Sequence, residues 1–509
     1  MKKRLLALLM TMMLLLPLLT GCVKTQEKAV QITWYLRTED VDLYNRLQGV
    51  RVIEEATGVD VVFQSPPDNS EDAYKMMVAS GKLPDVIMWQ HSAAMDRMYE
   101  EGTIIDLTDL IAQYAPNLTR IFNERPELRR EVETAEGRLY YFPSINPMLT
   151  VEDVCRKSYS GLIIRQDWLD KLGLSVPQTI GEWYEVLTAF KLRDPNGNGF
   201  QDEIPFDGWA LPYFAPAFGV LNTFCVKADG TVAFGPMEPE YKEYLETMHQ
   251  WYAEGLLGPN CLIHSDSWWT ENIVNGLTGS FAGLDNAWRY YLPGMQENDA
   301  AAAMSPVGWP MNADGVRYTP REDVAGHMAT AVTVITSACE DPVAAVKFID
   351  YMYSEEGSAL LTWGIEGKSY TVVDGKKQLT EHALSIDPDH DWLMLYEYAI
   401  GHASFPKYDG ENVVLASYPE EQLIAEQTWA DASTALIFPP YIPFTVEERA
   451  VIDSVMDDVN NYFTEMHIKF ITGAEPLSNY DAFIAQLERM GLDRVLDIYR
   501  TAYARAMTE

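Results

Sequence analysis

The sharpest chemical pattern in the chain is Asp194-Pro195-Asn196-Gly197-Asn198-Gly199-Phe200-Gln201-Asp202-Glu203. Counting Asp194 as position 1, side-chain oxygens fall at positions 1, 3, 5 and 9, with glycine at position 6. Alternate residues of such a loop turn their oxygens toward one centre. Gly199 permits the sharp bend, and the Phe200 carbonyl points inward, as in the first part of an EF-hand calcium loop. An EF-hand closes with a bidentate glutamate at position 12, which here is Pro205; Asp202 and Glu203 stand at positions 9 and 10 instead. The pattern predicts calcium held by Asp194, Asn196, Asn198, Phe200, Asp202 and Glu203, closed by adjacent carboxylates. Oxygen-only ligands suit calcium rather than zinc or copper. With no water-activating base nearby, the ion is expected to be structural; the alternative is a Gly/Asn turn with solvated acids.

A second reactive position is Cys22. The chain opens Met1-Lys2-Lys3-Arg4, and an apolar run from Leu5 to Leu19 follows, interrupted by Thr11 and Pro17. A basic start and short apolar core are the layout of a secretory signal. The run falls short of the ~20 apolar residues of a spanning helix. It ends in Leu19-Thr20-Gly21-Cys22, which resembles the lipobox of bacterial lipoproteins. That resemblance implies a signal peptide over 1–21 and a lipidated Cys22 at the head of a polar tether, 22–31. It also implies fatty acyl groups such as palmitate as the anchor on the outer face of the cell membrane. The remaining cysteines, Cys155, Cys225, Cys261 and Cys339, form no C-x-x-C pair, so a metal or redox site is not expected. Export is compatible with disulfides; spacing leaves their pairing open, and small buried thiols are the favoured reading.

The 509 residues exceed one hydrophobic core, and 47% hydrophobic content supports packed globular domains. Net charge is −37, and about −40 without Lys2, Lys3 and Arg4. That acidity argues against nucleic acid and anionic lipid as ligands and weakly disfavours polyanions. The chain contains no G-x-x-x-x-G-K-[ST], G-x-G-x-x-G, H-E-x-x-H or G-x-S-x-G. Its eight histidines are scattered. Any chosen pair among 75 acids reads as solvated surface, so the expectation is a binding protein without catalytic residues.

The elements that must position these residues alternate. Ile32–Tyr35, Val59–Phe63 and Leu83–Trp89 read as strands; Leu43–Ala56 and Asp72–Ser80 read as helices closed by Gly58 and Gly81. Strand, helix, strand at this spacing predicts parallel βαβ units, with ligands beyond the carboxyl ends of the strands. Trp89 ends its strand and so is placed to face a ligand. Later segments are helical: Asp341–Ser354, Glu447–Phe470, Tyr480–Met490 and Leu492–Arg505.

Several motifs in order carry a family resemblance: Gly81-Lys82-Leu83-Pro84-Asp85-Val86-Ile87, Gly137-Arg138-Leu139-Tyr140-Tyr141-Phe142-Pro143, Leu162-Ile163-Ile164-Arg165-Gln166-Asp167-Trp168-Leu169-Asp170-Lys171-Leu172-Gly173, Pro177-Gln178-Thr179-Ile180-Gly181-Glu182-Trp183, Gly364-Ile365-Glu366-Gly367-Lys368-Ser369-Tyr370 and Lys469-Phe470-Ile471-Thr472-Gly473. The chain resembles the extracellular solute-binding proteins, family 1, of bacterial ABC importers. It is similar above all to the branch with alginate-binding proteins and Gram-positive sugar-uptake lipoproteins. The resemblance implies an α/β, two-lobed, periplasmic-binding-protein-like type II fold with a helix-rich C-terminal tail. The expected division is an N-lobe from 32–150, a C-lobe from 151–315 with the calcium loop at 194–203, a return to the N-lobe over 316–395, and C-lobe completion with the tail over 396–509. It implies a monomer that captures a carbohydrate and docks on permease transmembrane subunits. A peptide or other solute, a sugar-sensing co-receptor and a lipid-anchored glycoside hydrolase remain as alternatives.

Sugar rings present apolar CH faces and hydroxyl edges, which proteins meet with aromatic platforms and planar polar groups. Tryptophans beside turns or glycines are the candidates: Trp34, Trp89, Trp209, Trp268, Trp269, Trp288 and Trp363. Polar candidates are Arg37, Gln90, Asp285, Asn286, Arg289 and Glu366. Trp168, Trp183 and Trp251 sit in helical patterns and are expected in the core.

Overall fold

The structure, a computed structural model, describes residues 30–38, 40–66, 70–90, 93–145, 160–208, 211–262, 268–320, 328–385, 398, 405–408, 420–439 and 442–508. Cys22, Cys155 and Trp209 lie outside the described residues. The first lobe begins with β1 (Val30–Tyr35), α1 (Gln48–Thr57), β2 (Val59–Gln64), α2 (Glu71–Ser80), β3 (Val86–Gln90), α3 (Ala93–Glu100), α4 (Pro116–Glu124) and β4 (Phe142–Ile145). β1 pairs in parallel with β2 and with β3, as the alternation predicts. Gly58 and Gly81 cap α1 and α2 in the left-handed region, at φ +71° and +69°.

Two boundaries differ from the sequence reading. The helix expected over Leu43–Ala56 is split, with a single turn at Val41–Tyr44 before α1. The third strand starts at Val86 rather than Leu83. Pro84 brings no N–H to a ladder, and the Asp85 carboxylate turns instead to accept from the Thr33 N–H and hydroxyl, both at 2.7 Å. That pair ties the Leu-Pro-Asp turn to β1.

The second lobe is built on β5 (Ser160–Arg165), α5 (Gln166–Leu172), α6 (Ile180–Leu192), the hairpin β6 (Phe224–Val226) and β7 (Val232–Phe234), α7 (Pro239–Ala253), β8 (Ser280–Leu284) and β9 (Met304–Val307). β5 lies between β8 and β9, antiparallel to both. Arg165 at its end grips Asp167 in a two-pronged ion pair of 2.8 and 2.6 Å, and its guanidinium lies 4.8 Å from the Trp168 ring. Asp167 also accepts from the Ala303 N–H, so the R-x-D-W motif is a clamp between α5 and β9. A capping box of Thr179 and Glu182 starts α6. Trp168, Trp183 and Trp251 are buried in this core, as expected.

The chain then returns to the first sheet with β10 (Met328–Ile335), followed by α8 (Pro342–Met352), α9 (Glu355–Thr362), the hairpin β11 (Tyr370–Val373) and β12 (Lys376–Leu379), and β13 (Lys407–Tyr408). The strand order is β13-β4-β10-β3-β1-β2, with β10 antiparallel to both neighbours. The last stretch, α10 (Glu420–Ala430), α11 (Val446–Thr472), α12 (Tyr480–Arg489) and α13 (Leu492–Thr508), packs on the second lobe. Tyr318 and Thr319 pair with Ser433 of the second lobe, and β13 pairs with β4 of the first. The Phe405 ring stacks on Trp34 and Tyr44 at 5.6 and 6.1 Å, inside the first core. Among the described residues, no helix is long and apolar enough to cross a membrane.

The tail helices are fixed to the second lobe by buried polar contacts. His467 of α11 is buried among Tyr241, Tyr244 and Phe463, with Nδ1 at 3.0 Å from the Tyr241 hydroxyl. Burial pushes its imidazole down to about 4. The unfolded chain binds that proton near pH 6.5, whereas the folded chain resists it until about 4. Its contribution is therefore complete above pH 6.5 and is lost on the way down to about 4, by roughly 3 kcal/mol. Thermal melts from pH 7 to 4 should show this decline, and His467→Phe should flatten it. An unchanged slope in the variant would refute the assignment.

Candidate functional site

Strand parity decides which aromatic side chains are available. Successive strand residues face opposite sides of a sheet. Trp34, with Val86 and Met88, faces the core under α1, α4 and α8, and is fully buried; its ring lies 5.6–6.2 Å from Phe63, Phe348 and Phe405. It is a core residue, not a ligand platform. Tyr35, Ile87 and Trp89 face the other side. Trp89 is only partly buried there, stacked on Tyr74 at 4.3 Å and 6°. Arg37 is exposed just past the end of β1. Both residues therefore sit at the carboxyl ends of neighbouring strands; the Gln90 side chain lies outside the description.

In the second lobe, β8 ends at the half-exposed Leu284, and Asp285 follows, buried, with Oδ2 unpartnered among the described residues. Asn286 and Arg289 flank it across one turn, partly exposed. Trp288, on the same turn, points inward: its Nε1 donates to the Met304 carbonyl at 3.2 Å and its ring lies 6.3 Å from Trp429. Trp363 is likewise buried, against Tyr370 at 5.9 Å. The G-I-E-G motif after it is a turn closed by the Ser369 hydroxyl, which donates to the Trp363 carbonyl and accepts from the Ile365 N–H. Glu366 is exposed on that turn. Trp268 and Trp269 begin the helix Trp268–Val274; their side chains, and all of Trp209, lie outside the description.

A cavity of about 310 Å³ joins the lobes. The first lobe contributes α3 and the segment from Arg130 to Tyr141; the second contributes Ile442 to Arg449. Its aromatic walls are Tyr99, Tyr140, Tyr141 and Phe444. Tyr99 and Tyr140 stack at 4.6 Å and 15°, Tyr141 meets Tyr140 edge-on at 5.0 Å, and the Tyr140 hydroxyl donates to Asp96. Sequence reasoning concentrated on tryptophan and missed these residues. The adjacent tyrosines after the Gly137 turn were the available signal.

The acidic loop after α6 is wound around its own carboxylates. Asp194 sits at φ +44°, accepting from the Gly197 N–H at 2.9 Å and the Gly199 N–H at 3.1 Å. Asn196 Oδ1 accepts from the Asn198 N–H, and Asn198 Oδ1 from the Phe200 N–H, at 3.0 and 2.7 Å. Both amides donate to Asp202. Gly197 and Gly199 take φ of +74° and +81°, conformations that glycine adopts without strain. Lys171 anchors the loop by donating to the Pro195 carbonyl at 2.5 Å. Glu203 is 9% exposed, and both carboxylate oxygens are unpartnered among the described residues. Its carboxyl is raised above the usual range by burial, with Asp194 and Asp202 adding repulsion. Among the described residues, no three His, Cys, Asp or Glu side chains converge tightly enough to hold a metal ion on their own. A cation here depends on the Asn oxygens and the Phe200 carbonyl as well.

Comparison with known proteins places this geometry. The family profile of bacterial extracellular solute-binding proteins matches residues 50–359. The chain is 26% identical over 469 residues to the fructooligosaccharide ABC transporter substrate-binding protein FusA of Streptococcus pneumoniae serotype 4, covering 89% of this chain and 85% of FusA. It is 24% identical to lipoprotein LipO of Bacillus subtilis, covering 70% of each. FusA in complex with kestose superposes with a TM-score of 0.75 at 23% identity, over 94% of this chain and 99% of that one. An EF-hand mutant of FusA with fructo-nystose gives 0.73 at 22% identity, over 94% and 99%. The alginate-binding protein AlgQ2 without calcium ion gives 0.70 at 23% identity, over 94% and 98%.

The crowding of acids around Glu203 has a measurable consequence. A group whose folded pKa is raised costs stability once pH exceeds its ordinary value, because the folded state holds the charge less well. In chelator at pH 7, Glu203→Gln should raise the melting temperature. A lower melting temperature in chelator would show that Glu203 makes favourable contacts instead.

Proposed function

Because the chain belongs to the bacterial extracellular solute-binding proteins, we propose that it captures an oligosaccharide between its lobes and delivers it to a membrane permease. It is a solute-binding protein, not an enzyme. The observation that carries the sugar reading is the aromatic-walled cavity shared by two lobes built on separate sheets. Rings of Tyr and Trp suit the CH faces of a pyranose or furanose, and carboxylates and guanidinium groups suit its hydroxyl edge. Trp89 and Arg37 from the first lobe, and Asp285, Asn286 and Arg289 from the second, none of which lines that cavity, are proposed as further contacts. FusA, named for fructooligosaccharide and solved with kestose, supports this reading. Closure would bring both lobes onto the ligand and present one surface to the permease.

The acidic loop is proposed to hold a structural calcium through Asp194, Asn196, Asn198, Asp202, Glu203 and the Phe200 carbonyl. The buried Glu203 carboxylate, crowded by Asp194 and Asp202, suits a bound cation. A bound calcium would neutralise the repulsion among these acids and leave the Asn oxygens with a hard partner. The EF-hand named for FusA, and an AlgQ2 structure described as being without calcium ion, support it. Cys22 is proposed as the lipid attachment site that holds the protein at the outer face of the cell membrane, a reading that LipO supports. One acyl chain anchors only marginally, so two or more are expected.

Thermal melts of the purified protein against an oligosaccharide panel, with and without calcium, test both ideas. A bound ligand at ~100 times its Kd should add ~2.7 kcal/mol. Calcium should raise the midpoint in the wild type, and Asp202→Ala should abolish most of that gain. A panel without any stabilising sugar would overturn the sugar reading. Cells carrying Cys22→Ala should release the protein to the medium, and retention would overturn the lipid anchor.

A further inference from the structure

We infer that the glycan taken between the lobes is uncharged, and that the cavity at α3 and the start of α11 discriminates against uronates. The inference rests on the oligosaccharide reading above and narrows its chemical class. Relatives point in opposite directions. FusA is named for fructooligosaccharide, a neutral polymer, whereas AlgQ2 is named for alginate and YtcQ of Bacillus subtilis for polygalacturonan and rhamnogalacturonan, polymers that contain uronates. The shared fold therefore leaves the ligand's charge open, and the walls of this chain's own cavity decide it.

Those walls are acidic on the side of the first lobe. Asp96, Glu100, Glu131, Glu133 and Glu136 line the cavity, against Arg130 and Arg449. The cations are partly engaged: the Arg449 guanidinium lies 4.9 Å from the Phe444 ring. Of the acids, Glu133 is paired with Arg129 at 2.8 Å, and Asp96 accepts from Tyr140. Neither contact supplies a cation that a ligand could use. An adjoining hollow continues the pattern with Arg97, Asp453 and Ser454 beside Asp96 and Arg449. Burial raises the Asp453 carboxyl above its usual range; Arg449 and Arg97 oppose that shift and Asp96 adds to it. Summed over the lining of both hollows the charge is net negative; in the main cavity the acids are on the first lobe, and Arg449 is the charged residue that the second lobe brings.

The chemistry of recognition follows. A carboxylate accepts hydrogen bonds from sugar hydroxyls and needs no counter-charge on the ligand. A uronate ring replaces one such donor with a second carboxylate, which cannot donate when ionised and is repelled. Each further uronate ring adds another charge, so the discrimination grows with chain length. The partly exposed Tyr99, backed by the buried Tyr140, suits either kind of sugar, so the acids carry the choice.

Calorimetry on the purified protein tests this with neutral tetrasaccharides of fructan, glucan, mannan and galactan type, and with tetragalacturonate and tetramannuronate. At low salt the best neutral tetrasaccharide should bind at least tenfold tighter than either uronate. The gap should shrink in 0.5 M salt, where screening is within ~4–5 Å. Glu100→Gln with Glu136→Gln, both exposed positions, should also shrink it at low salt. A uronate that binds as tightly as the best neutral sugar overturns the inference. A gap that neither salt nor the double variant moves removes this cavity from the choice and overturns it too. Binding of neither series would instead overturn the oligosaccharide reading itself.

Discussion

The first lobe depends on a strand that arrives from the other lobe. β10 lies between β3 and β4 and hydrogen-bonds antiparallel to both. Without it, β4 and β13 would be detached from the βαβ sheet, and α8, which follows β10 directly, would lose its place on the core. Its register sets Thr333 opposite both Met88 and Phe142, with an irregularity between Met328 and Val332. The Thr336 hydroxyl then donates to the Pro84 carbonyl and the Thr336 N–H to Asp85, so the same strand fixes the turn that precedes β3. The lobes are thus interwoven, and cutting the chain between β4 and β10 would leave the first sheet without its middle strand.

A second constraint works from the far end. The start of α11 reaches the first lobe, and its geometry is held by polar contacts within the tail. Thr445 and Glu448 form a capping box, and Arg505 of α13 grips the Glu448 carboxylate at 2.9 and 3.0 Å. Arg505 also donates to the Pro443 carbonyl. That cluster aims Phe444 and Arg449 at the cavity while the hydrophobic face of α11 stays in the second core. A helix locked this way transmits the position of the second lobe directly to the cavity wall, so the cavity's shape and lobe closure are linked.

Much of this was legible in local pattern. Alternating strands and glycine-capped helices of the first lobe follow from period and punctuation, and R-x-D-W follows from an ion pair between residues two apart. Pairings across long separations were not legible: nothing local in Met328–Ile335 says that it enters between strands some 190 to 240 residues earlier. Nor did position at a strand end decide the fate of tryptophan. Trp34 and Trp89 both stand near strand ends, but parity buries one among Phe63, Phe348 and Phe405 and leaves the other beside Tyr74. The register that sets parity is a tertiary quantity. The interlobe tyrosines were missed for the same reason, since their neighbour Phe444 is some 300 residues away.

The acidic loop and the acidic cavity illustrate two ways to tolerate like charge. Around Asp194 the carboxylates converge, neighbouring backbone N–H groups satisfy Asp194, and burial with repulsion from Asp194 and Asp202 outweighs the backbone's stabilisation of Glu203. Repulsion at that range is relieved only by a cation or a proton. In the cavity the acids are spread over α3 and the segment after Arg130, several of them exposed, so water and salt screen them individually. The same residue types therefore have opposite consequences. Buried and crowded, they create an affinity for a positive ion; solvated and spread along a wall with aromatic faces, they become hydroxyl acceptors with a standing bias against anions. Burial and spacing, rather than charge count, separate a metal loop from a ligand wall in this strongly acidic chain.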